Sequence, residues 1–165
     1  MWKRIISKFN YKNNLHIPMF PNVSPKQSFS TLEKFDAWNE EKKWIHQKNA
    51  EKVFISPREI WYVKMGVNIG NETNGKKEFL RPVLVLKRVG NLIFIAPLTT
   101  KWKETNFYHH LVTAAYIDPQ YARDVSHIEL SQCKSIDRKR FLDKVGTIDS
   151  VELWDIKKKL IKLLL

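Results

Sequence analysis

Three polar side chains stand at the ends of strand-like segments, and together they have the chemistry to hold a phosphodiester. Arg81 precedes the apolar run 82–87, Thr99 follows the apolar run 92–96, and Glu72 lies in a polar loop between strands. A guanidinium offers a planar fork of donors that matches a phosphate, and a hydroxyl can donate to a phosphate oxygen. By residue type alone, a surface salt bridge explains the arginine equally well, and a threonine at a strand end needs no function.

Three strands must position these side chains. The runs 60–65, 82–87 and 92–96 are rich in Val, Ile, Leu and aromatic residues, which favour strands. A Gly/Asn-rich loop separates the first two runs, and the pair Gly90-Asn91 predicts a tight turn before the third. Strands connected as hairpins can bring their ends to one rim of a small sheet. The continuous apolar stretch inside the second run predicts burial on both faces.

Helical periodicity appears on both sides of these strands. A capping box at Ser30 predicts a helix over 31–49, and a second capping box at 149–152 predicts a closing helix over 150–164. The apolar face of the first helix is predicted to contain Leu32, Phe35, Trp38 and Ile45. The apolar face of the closing helix is predicted to contain Val151, Trp154, Leu160, Ile161 and Leu164.

Strands followed by a terminal helix predict a mainly β protein of the α+β class, with a strongly bent antiparallel sheet or open barrel. The break at Ser56-Pro57 divides the chain into an N-terminal extension, 1–55, and a second domain, 56–165. The remaining elements are predicted as short strands at 107–113, 126–130, 134–136 and 144–148 and a helical turn at 138–143.

Composition limits the possible partners and compartments. The chain has 29 Lys and Arg against 17 Asp and Glu, a net charge of +12, which favours an anionic partner such as nucleic acid, although such charge also serves solubility. The single cysteine, Cys133, excludes an intrachain disulfide and a Cys-based zinc site, and it fits a reducing cytoplasm. No run of about 18 apolar residues is present, so no membrane span is expected.

Four segments, in the correct order, resemble the MazF/PemK family of toxin ribonucleases. They read GNETNG at 70–75, RPVLV at 81–85, APLTT at 96–100 and SQCKSID at 131–137. The corresponding family features are a Gly-Ser-Glu-Gln-x-Gly loop, an Arg-Pro before a buried strand, a strand ending in an active-site Thr, and a Gln-x-Arg-x-Ile-Asp segment. The resemblance covers about 57–165.

The resemblance implies an SH3-like barrel with a C-terminal helix and a type II toxin that cleaves single-stranded RNA selectively, with no metal or cofactor. The RNA 2′-hydroxyl would attack its own phosphate, with Arg81 as the catalytic cation, Thr99 holding the phosphate and Glu72 as the best candidate for the base. A homodimer and a cognate antitoxin that competes for the RNA groove are also implied. Further RNA contacts are expected from Asn71, Thr73, Thr100, Gln132 and Lys134.

The chain departs from the family pattern at several positions. Asn71 stands for the family's Ser, Thr73 stands for its Gln, and residues 76–80 lengthen the loop. Some members have Arg-x-Asp before the Gln, whereas Glu129 and Ser131 occupy those positions here. Two rival functions therefore stay open: a gyrase poison on the same barrel, whose relatives lack the Arg-Pro and Thr pairing, and a non-catalytic RNA- or protein-binding module.

The five histidines raise the separate possibility of a histidine base and acid. His109 and His110 are neighbours on a predicted strand, so they should face opposite sides, one buried or paired and the other solvated. We interpret both as structural, and the histidines show no metal-ligand spacing. Cys133 is interpreted as a small core residue rather than a nucleophile.

Overall fold

The computed structural model describes residues 31–49, 53–105, 107–118 and 126–165, so the capping residue predicted at Ser30 lies outside the described part. Residues 31–165 form one compact unit. None of the described helices is long and apolar enough to cross a membrane. The helices and strands are α1 (Thr31–Gln47), β1 (Glu59–Lys64), β2 (Leu80–Val89), β3 (Leu92–Thr99), β4 (Tyr108–His110), β5 (Ala115–Tyr116), β6 (His127–Glu129), β7 (Lys134–Asp137), β8 (Phe141–Thr147) and α2 (Ser150–Leu164).

The strands form one antiparallel sheet that is open rather than a closed barrel. Its order is β4-β6-β3-β2-β1-β8-β5, and β7 pairs with β3 beside this path. Strand β7 pairs with the first half of β3, and β6 pairs with its end. Between them the 3₁₀ turn Leu130–Gln132 interrupts the pairing. The predicted mainly β fold with an N-terminal and a C-terminal helix is confirmed, and the turn lies beside the loop that precedes β2.

The centre of the sheet is buried on both faces, as the apolar stretch in β2 predicts. Val83 and Val85 belong to one hydrophobic core, whereas Leu84 and Leu86 belong to the other. All four are buried, because successive side chains of a strand point to opposite faces. Helix α2 contributes to the Leu84 core through Leu153, Ile156 and Leu160.

Several predicted boundaries are wrong, and hydrogen bonding explains the differences. The strand predicted at 107–113 is limited to β4, because the backbone N–H groups of Val112 and Thr113 bind the Glu152 carboxylate instead of a neighbouring strand. The helical turn predicted at 138–143 is only a 3₁₀ turn, Arg138–Arg140. Strand β8 therefore begins before residue 144, at the residue that pairs with Val63 of β1. Helix α1 ends two residues before its predicted end.

Helix α2 buries Leu160 as predicted, but the rest of its buried face differs from the prediction. Asp149 caps the helix by accepting the N–H of Glu152 at 2.7 Å, as expected. The Glu152 side chain does not complete a capping box; it accepts the N–H groups of Val112 at 2.7 Å and Thr113 at 2.8 Å. Burial raises the pKa of Glu152, but its hydrogen bonds reverse that shift and lower it. In the helix orientation that these hydrogen bonds fix, four residues of the predicted apolar face are exposed: Val151, Trp154, Ile161 and Leu164.

Helix α1 packs on the sheet unit through Trp38, which is 4% exposed. The Trp38 ring lies 5.3 Å from the ring of Phe79, and the Arg140 guanidinium lies 5.4 Å from the Trp38 ring. A Cβ at Gly66 would overlap the Trp38 ring, so this contact requires glycine there. The predicted apolar face is wrong at Leu32, which is 76% exposed. The helix is therefore anchored by Trp38 and also by Ile45, which is 6% exposed.

Trp38→Ala should lower the free energy of unfolding by about 3–5 kcal/mol, the usual effect of removing a buried Trp. The matched control is Trp44→Ala on the same helix, because Trp44 is 53% exposed and should change stability by no more than about 0.5 kcal/mol. Urea unfolding followed by circular dichroism measures both. Equal destabilisation by the two variants would contradict the anchoring role of Trp38.

Candidate active site

Arg81 stands at the start of β2, where two backbone carbonyls hold its guanidinium. Its Nε donates to the carbonyl of Asn74 at 2.6 Å, and its Nη1 donates to the carbonyl of Leu98 at 2.9 Å. Burial lowers the pKa of Arg81, and the charge of Glu129 opposes that shift. Since an arginine side chain stays protonated in proteins, this rim of the sheet carries a fixed positive charge with further N–H donors beyond these two bonds.

Thr99 lies at the end of β3, directly after the Leu98 carbonyl that Arg81 contacts. Its Cα pairs with that of His127 on β6. Its hydroxyl oxygen accepts the backbone N–H of Lys101 at 3.1 Å, and a hydroxyl that accepts one bond still has its own hydrogen to donate. The structure thus brings the predicted arginine and threonine to one rim of the sheet.

The loop before β2 is fastened to the 3₁₀ turn Leu130–Gln132 by side-chain hydrogen bonds. Gln132 accepts the N–H of Thr73 at 2.9 Å and donates to the carbonyl of Asn71 at 3.2 Å. The Thr73 hydroxyl donates to Glu129 at 2.9 Å. Of the residues predicted to contact RNA, Thr73 is buried and Gln132 is half-buried, and both support this loop. The Asn71 carbonyl is one of the groups that Gln132 holds.

The other predicted site residues lie around this loop and the end of β3. Glu72 is exposed and accepts the N–H of Ile69 at 3.2 Å. Burial lowers the pKa of Lys134, and the charge of Glu72 acts to raise it. Thr100 is exposed next to the end of β3. Glu72 therefore acts on Lys134, and the described contacts include no hydrogen bond or ion pair between Glu72 and Arg81.

The carboxylate whose charge acts on Arg81 is that of Glu129, which the sequence analysis did not assign to the site. Glu129 accepts the hydroxyl of Tyr108 at 2.9 Å and also the hydroxyl of Thr73. Burial, the hydrogen bond to Glu129 and its charge together raise the pKa of Tyr108 to about 12. Glu129 thereby connects β4, the loop before β2 and the cation at the start of β2.

A row of three residues crosses β3, β6 and β4 at the same rim. Thr99 pairs with His127, and His127 pairs with His110, so their side chains share one face of the sheet. The two histidine Nδ1 atoms lie 3.3 Å apart. The ring of Trp102 lies 4.9 Å from that of His127. His127 is buried, whereas His110 is exposed.

Comparison with known proteins identifies the family. A family model described as a PemK-like, MazF-like toxin of type II toxin–antitoxin systems matches residues 56–164. The chain belongs to this family. No curated protein matches the sequence.

Solved structures of MazF-like proteins share the fold. A MazF from Deinococcus radiodurans is 22% identical, with a TM-score of 0.54; the match covers 69% of this chain and 98% of that protein. An endoribonuclease from a mycobacterial species, solved with its cognate antitoxin, is 12% identical, with a TM-score of 0.50, and the match covers 67% of this chain and 95% of that protein. At these identities the likeness establishes the fold alone.

Side chains on the opposite face of the sheet have structural partners. His109 lies 3.1 Å from Glu152 and 3.0 Å from Lys159. The prediction that His109 and His110 face opposite sides, one paired and one solvated, is confirmed.

Burial raises the pKa of the Cys133 thiol to about 12, so it is a poor nucleophile. In the described ranges, no group of three or more His, Cys, Asp and Glu side chains could hold a metal ion.

An open groove of about 1000 Å³ lies between the segment after β3 and helix α2. Exposed aromatic rings of Trp102 and Phe107 line it from one side. Lys159 and Lys162 of α2 line the other side. The sequence does not reveal this groove, because it forms only when the segment after β3 folds against the C-terminal helix.

Glu129→Gln should lower the pKa of Tyr108 from about 12 towards its ordinary value of about 10. The shift should be incomplete, because burial of the phenol persists when the charge of the hydrogen-bond acceptor is removed. A pH titration of the Tyr108 signal in ¹³C-tyrosine-labelled protein measures this, with the signal assigned from Tyr108→Phe. Glu40→Gln on α1 is the matched control. A Tyr108 pKa that stays near 12 without the Glu129 charge would contradict the assigned contact.

Proposed function

We propose that this protein is the toxin of a type II toxin–antitoxin pair, and that it cleaves single-stranded RNA in the cytoplasm as a sequence-selective, metal-independent endoribonuclease. The observation that carries the proposal is the bond from Arg81 to the Leu98 carbonyl, which fixes a guanidinium at the residue that directly precedes Thr99. A phosphate held between these groups would meet a fixed charge and two kinds of donor. Membership of the toxin family supports the biological role.

The proposed reaction is attack of the RNA 2′-hydroxyl on the adjacent phosphorus. The 2′-oxygen bonds to phosphorus, the bond from phosphorus to the 5′-oxygen breaks, and the products are a 2′,3′-cyclic phosphate and a 5′-hydroxyl. Negative charge on the phosphoryl oxygens increases on the way to the phosphorane, and Arg81 and Thr99 would stabilise it there. Glu72 is the candidate base that the family resemblance implies, and it is exposed as that role requires.

The surface around this rim has the composition of a single-stranded RNA path. The groove that Trp102 and Phe107 share with Lys162 is also lined by Glu104 and by Lys159, which contacts His109. Aromatic faces stack bases and lysines follow phosphates. Exposed Thr100 continues this surface at the end of β3, with Asn71 and Lys134 near the loop before β2. We propose that the loop shape, fixed by Thr73 and Gln132, sets the preference for particular bases.

We further propose that the toxin is a homodimer that binds RNA across its interface and is inhibited by a cognate antitoxin peptide in the same groove. The exposed apolar residues of α2 support a protein–protein contact on that helix, since a lone monomer would leave this stripe in water. The mycobacterial protein of the same fold was solved with its cognate antitoxin, which supports an antitoxin as the second partner.

Arg81→Ala should reduce RNA cleavage by about 100- to 1,000-fold, as expected when a fixed donor to the developing oxyanion is removed. Because Arg81 also holds two carbonyls, Arg81→Lys is the second variant: it keeps the charge but loses the planar fork, and should also cleave slowly. Thr99→Ala should be slower than wild type by a smaller factor. The measurement is cleavage of a long RNA in EDTA, with the product ends mapped.

Arg88→Ala is the control for charge, because Arg88 lies at the other end of β2, where its guanidinium packs on the Phe54 ring. This variant should cleave at the wild-type rate. Cleavage that disappears in EDTA and returns with magnesium would contradict the metal-independent mechanism. RNA that is bound but left intact by the wild-type protein would favour a non-catalytic binding module.

A further inference from the structure

The pair His110–His127 is a titratable contact at the active-site rim to which the proposed reaction gives no task. Its rings face each other through Nδ1 atoms 3.3 Å apart, with centroids 5.0 Å apart. Thr99 is the direct cross-strand partner of His127, so their Cα atoms are about 5 Å apart. The pair therefore borders the phosphate position proposed at Thr99.

A bond between two Nδ1 atoms contains one hydrogen, so one ring donates it and the other accepts it. Protonating both rings fully would place two donors and two positive charges face to face, which means that the pair takes up its protons in separate steps. Burial lowers the pKa of His127, and the charge of His110 lowers it further. Because the two facing Nδ1 atoms share one hydrogen, the pair keeps a nitrogen lone pair able to accept a proton.

The groups around the pair leave one side of it accessible. The titratable groups around it are Tyr108 on β4, Glu129 on β6 and Lys101 after β3. Tyr108 stays protonated, because its pKa is about 12 and its hydroxyl donates to Glu129. The Trp102 ring packs on the buried His127, whereas His110 is exposed. An RNA strand on this face would therefore meet the ring of His110 first.

We propose that the His110–His127 pair is the general base of the RNA cleavage proposed above, with His110 as the ring that receives the proton. The 2′-hydroxyl gives its proton to an imidazole nitrogen as its oxygen bonds to phosphorus. The 5′-oxygen leaves with the electrons of its phosphorus bond and takes a proton from water. The protonated pair then returns its proton to solvent, and His127 acts as a positioning residue through the Nδ1 contact.

The structure distinguishes this pair from two other candidates for the general base, His109 and Glu72. His109 is held on the opposite face by Glu152 and Lys159, so it cannot reach the same phosphate. Glu72 lies in the loop before β2, where its charge acts on Lys134. Among the described residues, the His110–His127 pair combines an exposed ring with a place in the row of Thr99.

The test is the pH dependence of kcat for RNA cleavage, measured for wild type, His110→Gln, His127→Gln and Glu72→Gln. For a base, the rate should rise with pH through the pKa of the pair and level off above it. His110→Gln should lower kcat at pH 7 by about 100-fold or more, the usual contribution of general base catalysis, and should abolish the acid limb. His46→Gln, on the exposed surface of α1, is the matched control and should leave the profile unchanged.

His127→Gln should also lower kcat, and its melting curve shows whether loss of the buried ring unfolds the protein; if it does, His110→Gln decides alone. A His110→Gln enzyme with the wild-type rate and acid limb overturns the inference while leaving the proposed function intact. The same conclusion follows if the acid limb is lost only in Glu72→Gln. A wild-type protein that binds RNA without cutting it refutes both.

Discussion

A half-buried guanidinium has to be hydrogen-bonded, because an unpaired buried charge is far more costly than an exposed one. Arg81 meets this requirement with the carbonyls of Asn74 and Leu98. These two bonds connect the loop before β2 to the end of β3, which are separate in the sequence. The position of Thr99 next to the guanidinium follows from them. Glu129 adds the opposing charge that offsets part of the effect of burial.

The chain between β1 and β2 is strained where it approaches Arg81. Glu78 and Phe79 both have positive φ angles, 56° and 62°, a conformation that costs a non-glycine residue roughly 1–3 kcal/mol. The N–H of Met65 donates to the Phe79 carbonyl at 2.8 Å, and the ring of Trp38 packs on that of Phe79. Helix α1 therefore stabilises the segment that directly precedes Arg81. The predicted extension helix is thus connected to the site through the contact of Trp38 with Phe79.

Local patterns in the sequence predict much of the fold. The alternation in β2, the turn at Gly90-Asn91 and the cap at Asp149 each depend on neighbouring residues, and each is observed. The proximity of Arg81 and Thr99 was also predictable, because hairpin-connected strands bring their ends together.

Long-range pairing explains what the sequence does not reveal. Glu129, Tyr108 and the paired histidines meet only because β4 and β6, each three residues long, align side by side. No periodicity identifies such short strands or their register. The buried face of α2 was mispredicted for a similar reason: the Glu152 carboxylate binds a segment that lies 39 and 40 residues earlier in the sequence.

The central claim is that the nucleophile is the RNA's own 2′-hydroxyl, activated at this rim rather than by a metal. The most direct measurement uses two oligonucleotides that differ at one atom, one with the 2′-hydroxyl at the mapped cleavage site and one with hydrogen there. Both are incubated with the wild-type protein in EDTA, and the products are identified by mass spectrometry. The account predicts a 2′,3′-cyclic phosphate from the first and no cleavage of the second. Cleavage of the 2′-deoxy oligonucleotide at that position would contradict it.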